Sequence, residues 1–214
     1  MNSFIHAMHL FSPSLPIGAF AFSQGLEAAI EANLVKDERD LENWCLGVLQ
    51  YSMRTLDFRY ARASYRAKSK IEWTQINAAI LASRETKELL LEDQLLGMAL
   101  KKWACQQGVE VPDTTEYSLI ALYGWIGSKM KIPEDWVVTG IGWSWLDNQM
   151  VVAAKSIPLG QTVLQRVVSK IKPVLSNCVQ DSIDGADMPP ASTVPMLTTL
   201  SALHETQYSR LFRS

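Results

Sequence analysis

The residues able to do chemistry are few in this 214-residue sequence, and their spacing argues against catalysis. His6 and His9 stand three apart and can share a helix face, but two imidazoles make an incomplete metal site. His204 is the only other histidine, and Cys45, Cys105 and Cys178 are isolated and odd in number. That pattern indicates neither a disulfide framework nor a zinc site, and free thiols fit a reducing cytoplasm. No glycine-rich phosphate loop, nucleophile elbow or Glu-x-x-His motif occurs. No catalytic residue, cofactor site or metal site is therefore assigned.

Charged residues in rows remain. Arg59, Arg62 and Arg66 repeat at spacings of three and four, as do Glu85, Glu88 and Glu92, which puts each row on one helix face. Two readings stand open. The rows are solvated, or pair with each other for little net energy, or they form a docking surface for a charged partner. A second group is Ser144, Asn148 and Lys155, a polar line on an otherwise apolar helix. Lys155 either snorkels or is a buried functional amine. A third is the ending, where Tyr208, Leu211 and Phe212 interleave with Arg210 and Arg213. Disordered ends are poor in aromatics, whereas tyrosine and arginine dominate interface hot spots. The segment is expected to order against a partner, with capping of its own fold as the alternative.

The elements that must position these groups read as helices. With 48% hydrophobic and 20% charged residues, the chain fits one soluble domain, 1–214. A net charge of −2 gives no reason to expect nucleic acid. No charged residue precedes Glu27, yet His6, His9, Pro13 and Pro16 interrupt that stretch too often for a membrane span. Residues 1–18 read as an arm packed against protein. Helices are expected over Phe20–Ala32, from an Asp37 cap inward through Leu41, Cys45 and Val48, over Thr55–Ala67, around Trp73–Ile80, and from Ser83 to Gln106. Gly108 ends the last of these. Pro112-Asp113 and Pro133-Glu134-Asp135 read as further helix starts. The second leads, with a bend at Gly140 or Gly142, into the stretch that organises the chain. There Trp143, Trp145 and the run Met150–Ala154 leave no fully polar face, so the helix is buried until Ile157-Pro158 stops it. A return helix follows through Leu164 and Ile171, Pro173 opens a weaker one, Asp184–Pro195 reads as a loop, and 196–214 as half helix and half tail. No strand period appears. The fold class is all-α, a bundle of about ten helices around a buried central one.

Four blocks carry a resemblance to a known family. They are Ser12-Pro13-Ser14-Leu15-Pro16-Ile17-Gly18 leading to Ser23-Gln24-Gly25-Leu26-Glu27; Ala82-Ser83-Arg84-Glu85-Thr86; Trp143-Ser144-Trp145-Leu146 through Lys155 to Pro158-Leu159-Gly160-Gln161; and His204-Glu205-Thr206-Gln207-Tyr208-Ser209-Arg210-Leu211-Phe212-Arg213-Ser214. In this order they resemble the urease accessory proteins of the UreF family. The resemblance implies a non-enzymatic, homodimeric helical scaffold that bridges UreD (also called UreH) and the GTPase UreG during nickel insertion into apo-urease. It implies partner contacts at Ser23, Gln24, Glu27, Lys155, Gln161, His204, Glu205, Gln207, Tyr208, Arg210, Leu211 and Phe212, with the C-terminal segment facing UreD. Nickel is expected to bind this chain alone weakly or not at all. Ala21, Phe22 and Leu203 stand where the family usually has polar or basic groups, making the implied interface more apolar. The rival class is a small all-helical enzyme or cofactor binder of the haem-oxygenase-like sort, which would need a ligand or nucleophile inside the bundle.

Overall fold

The computed structural model describes residues 2–184, 190–191 and 194–214. The described residues form helices and no strand. In chain order they are α1 (Asn2–Leu10), α2 (Leu26–Glu31), α3 (Glu38–Val48), a π-helical segment (Leu49–Asp57), α4 (Phe58–Arg66), α5 (Lys70–Ala82), α6 (Lys87–Gln106), α7 (Leu119–Lys129), α8 (Glu134–Ser156), α9 (Gln161–Asp184) and α10 (Pro195–His204). A 3₁₀ turn, Ala19–Ala21, precedes α2.

Helix α8 is the central element, packed against α1, α2, α3, α4, α7 and α9. Its buried residues, Val137, Val138, Ile141, Trp145, Leu146, Met150, Val152 and Ala153, point to several sides, as the absence of a polar face requires. Pro133 precedes its first turn, and Glu134 and Asp135 lie at the positive end of its dipole. The helix is uninterrupted through Gly140 and Gly142. These glycines serve packing instead: a Cβ at Gly140 would lie 2.1 Å from the Phe11 ring, and one at Gly142 would lie 2.4 Å from Leu175. Ile157-Pro158 ends α8 as the sequence dictates.

Local signals fixed several other ends. Asp37 caps α3 by accepting the Asp40 amide at 2.9 Å. Thr86 does the same for α6 through Leu89, and Gly108 follows its last turn at φ 75°. Helix α6 thus starts four residues later than the pattern suggests, leaving Ser83 to Glu85 as a corner.

Elsewhere tertiary contacts overrule the pattern. The helix expected over Phe20–Ala32 is broken at Gln24 and Gly25, both at positive φ (54° and 81°). Leu197 and Trp44 close on Gly25, so the chain must turn there before α2 begins. Pro112 does not start a helix. Residues 109–117 run without helix, and Ser118 caps α7. Pro173 lies inside α9 rather than opening a new helix, on the solvent side, where water can serve a carbonyl deprived of its amide partner. Most of the loop expected over Asp184–Pro195, residues 185–189 and 192–193, lies outside the described residues.

Candidate functional site: a clamp on the C-terminal tail

The polar line of α8 leads to the site. Asn148 Nδ2 donates to the Phe22 carbonyl at 2.9 Å, and Gln149, fully buried, donates to the Ser23 carbonyl at 3.2 Å. Trp44 Nε1 donates to the other end of the Gln149 amide at 3.0 Å. These bonds fix the non-helical stretch 22–25, whose backbone groups have no helical partners of their own.

On that stretch the last residues of the chain lie down. The Ser23 amide donates to the Ser214 backbone oxygen at 2.8 Å, the Ser23 hydroxyl donates to the same oxygen, and the Arg213 amide donates to the Ala21 carbonyl at 2.8 Å. Ser214 is buried and its hydroxyl donates to Glu92 at 2.7 Å; Gln24 Nε2 donates to the other Glu92 oxygen at 2.6 Å. Glu27, on the first turn of α2, accepts the Leu211 amide at 2.6 Å and the Phe212 amide at 3.0 Å. His204, with no exposed surface, sits between two carboxylates: Nε2 lies 3.0 Å from Glu27 and Nδ1 lies 2.8 Å from Glu88. An ionised carboxylate only accepts, so an imidazole that serves two of them donates from both nitrogens and carries a positive charge. Arg210 closes the circuit on Glu88 at 3.0 Å.

Burial is paired with exposure on alternate sides of the tail. Phe212 enters the core at 6% exposure, with the Lys155 amine 5.4 Å from its ring centroid. Leu211 is 70% exposed and Tyr208 fully exposed. The tail was expected to order against a partner, with capping of its own fold as the alternative; here it is anchored by its own chain and offers its other side outward.

Burial pushes the Glu92 carboxyl up to about 7, against the hydrogen bonds from Ser214 and Gln24 that favour its ionised form. Next to it a second knot joins the helices. Arg84 bridges Asp57 and Asp93, each at 2.9 Å. Burial opposes its charge, yet the two aspartates outweigh that and raise its pKa further. Asp93 also accepts the Ser118 hydroxyl and the Leu119 amide, holding the start of α7. Burial raises the Asp57 carboxyl against the pull of Arg84. A cavity of about 200 Å³ opens beside both knots, walled by Met53, Leu56, Tyr123, Ile141 and Trp145.

The structure thus gathers Ser23, Gln24, Glu27, His204, Arg210, Leu211 and Phe212 into one clamp, with Lys155 at its edge. Gln161, exposed at the start of α9, makes none of these contacts, and Glu205, Gln207 and Tyr208 lie on its outer side. Sequence reasoning missed Glu88 and Glu92 as clamp residues. Their i, i+4 repeat just after the Thr86 cap is the signal, but it matches that of a solvated face. The arginine row does not meet them. Arg62 is buried on Glu134, Asp135, Ser182 and the Val179 carbonyl, and Arg66 also pairs with Glu134. Among the described residues no three His, Cys, Asp or Glu side chains are placed to hold a metal, and no helix is long and apolar enough to cross a membrane.

An all-helical protein whose own tail is strapped over a buried carboxylate nest is the class that fold and clamp define. Residues 35–172 match the UreF family model. The chain is 37% identical to urease accessory protein UreF of Teredinibacter turnerae, over 100% of this chain and 99% of that protein. It is 39% identical to the UreF protein of Marinobacter nauticus, with 97% and 92% covered, and 40% identical to that of Chromohalobacter salexigens, with 97% and 93% covered. The chain belongs to the UreF family of urease accessory proteins.

Proposed function

We propose that this chain is a non-catalytic scaffold of urease maturation in the cytoplasm. It acts as a homodimer that receives UreD (UreH) on its tail face and engages the GTPase UreG during GTP-dependent nickel insertion into apo-urease. Nickel is cargo of the assembly and is not stably held by this chain.

The observation that carries the reading is the division of labour within the tail. Glu27, His204 and Glu88 fix the inner side, so the ordering cost of a flexible ending is already met before a partner arrives. The outer side presents Tyr208 and Leu211, with Arg210 at their edge, the combination of aromatic, aliphatic and arginine anchors that interfaces favour. Complete removal of 208–214 would strip Phe212 from the core and mix two effects, so the test is Tyr208→Ala with Leu211→Ala. The double variant is expected to keep its helical circular dichroism and to lose UreD capture by about tenfold or more in pull-down. Capture at wild-type strength would overturn the assignment of UreD to this face.

A further inference from the structure

The clamp holds more carboxylates than fixed cations. Glu27 comes from α2, Glu88 and Glu92 from α6, His204 from the end of α10, and Arg210 from the tail itself. Beyond them, Lys155 of α8 lies over the Phe212 ring, and Asp93 and Arg84 adjoin Glu92 as the already paired knot. Within the clamp the only permanently charged cation is Arg210. With Glu92 neutral, the ionised Glu27 and Glu88 balance Arg210 and the doubly donating His204. If the Glu92 proton leaves, the same buried groups carry an excess negative charge, which a low-dielectric interior does not tolerate.

We propose that the tail is a proton-held latch: it closes on Glu27, Glu88 and Glu92 while Glu92 keeps its proton, and loosens when that proton leaves. Opening returns all three carboxylates and the imidazole to water, where the excess charge costs little. The ordinary carboxyl that Glu92 becomes in the open tail gives up its proton at lower pH than the buried one, so closing takes up a proton. The sign follows directly. Closure gains most below the open-state value of 4.5 and the gain is lost as pH rises through about 7. The inference goes beyond the scaffold assignment and does not need UreD, because every contact of the closed clamp lies within this one chain.

The Leu211 and Phe212 amides, which donate to Glu27, are its direct reporters. Their protection against hydrogen exchange, corrected for intrinsic rate, is expected to fall by about tenfold or more between about pH 5.5 and pH 8, while α8 amides keep theirs. Glu92→Gln removes the titrating group and is expected to flatten that fall. Protection that does not change with pH, or that is lost in step with the α8 amides, overturns the latch. Should Glu92→Gln not fold, the side-chain carboxyl carbon shift of Glu92 in the wild type decides. It is expected to move over the same range in which Leu211 loses protection, and a carboxyl shift that stays fixed through that loss overturns the proposal.

Discussion

Two buried polar knots lie side by side and are built on different principles. In the Asp57–Arg84–Asp93 knot the cation cannot be deprotonated, and the π-helical segment and α6 supply the carboxylates around an arginine at the corner before α6. Its cation stays charged whatever the pH, and it joins elements that pack through the core. In the clamp on the tail, much of the compensation is carried by an imidazole, and one of the three carboxylates titrates near 7. What it secures is a non-helical ending of ten residues, 205–214, with little packing beyond Phe212 and Ser214. The first knot is a permanent joint; the second holds conditionally.

The contrast breaks most severely at Arg84. Arg84→Met would leave Asp57 and Asp93 buried without a cation and would loosen the start of α7 through Asp93. Removing one partner of such a knot costs about 3–5 kcal/mol, so urea unfolding should show a large fall in midpoint, with helix packing affected throughout. If Arg84→Met were neutral, the knot would be no joint.

Glu27→Ala tests the conditional side. It orphans the Leu211 and Phe212 amides of the tail and one nitrogen of His204 at the end of α10. A lost buried acceptor costs about 1–3 kcal/mol, but the tail can swing out and hydrate its amides, so the penalty should appear as opening rather than unfolding. Expected are near-wild-type helical content, rapid exchange at Leu211 and Phe212 and, on the proposed assignment of UreD to this face, weakened capture of UreD. Cooperative loss of the whole fold would place the clamp on the same footing as the Arg84 knot.

How much of this was legible in the chain depended on range. Asp37, Thr86, Gly108 and Ile157-Pro158 act on residues within a turn of themselves, and helix ends governed by them could be read, even where the start of α6 was placed four residues early. Pro112 misled because a proline can open a helix. The actual start of α7 is set by Ser118 together with Asn77 and Asp93, which take the Ser118 and Leu119 amides from distant helices. The break at Gly25 depends on Leu197, far along the chain, and no local pattern announces it. The tail was recognised as unusual from its own residue types, and Glu27 and His204 entered through the family resemblance. Its anchors Glu88 and Glu92 were not recognised, because a glutamate row reads the same whether it meets water or a segment more than a hundred residues downstream.

The smallest effect is expected where the clamp meets the corner after α8. Lys155 is exposed, which answers the question of a buried amine, but its Nζ lies over the Phe212 ring and so touches the tail from outside. An exposed cation–π contact contributes about 0.5–1 kcal/mol, and methionine keeps the apolar stem while removing the charge. Lys155→Met should therefore leave the fold unchanged, and raise exchange at the Phe212 amide only slightly. We propose that Lys155, one of the partner contacts the family resemblance implies, also has a part in recognising UreG, beyond the ring of Phe212. On that proposal UreG capture falls by more than the small change in tail exchange accounts for, while UreD capture stays near wild type. If both captures and the exchange of Phe212 remain at wild-type values, Lys155 is a snorkelling surface residue, and the clamp ends at Phe212.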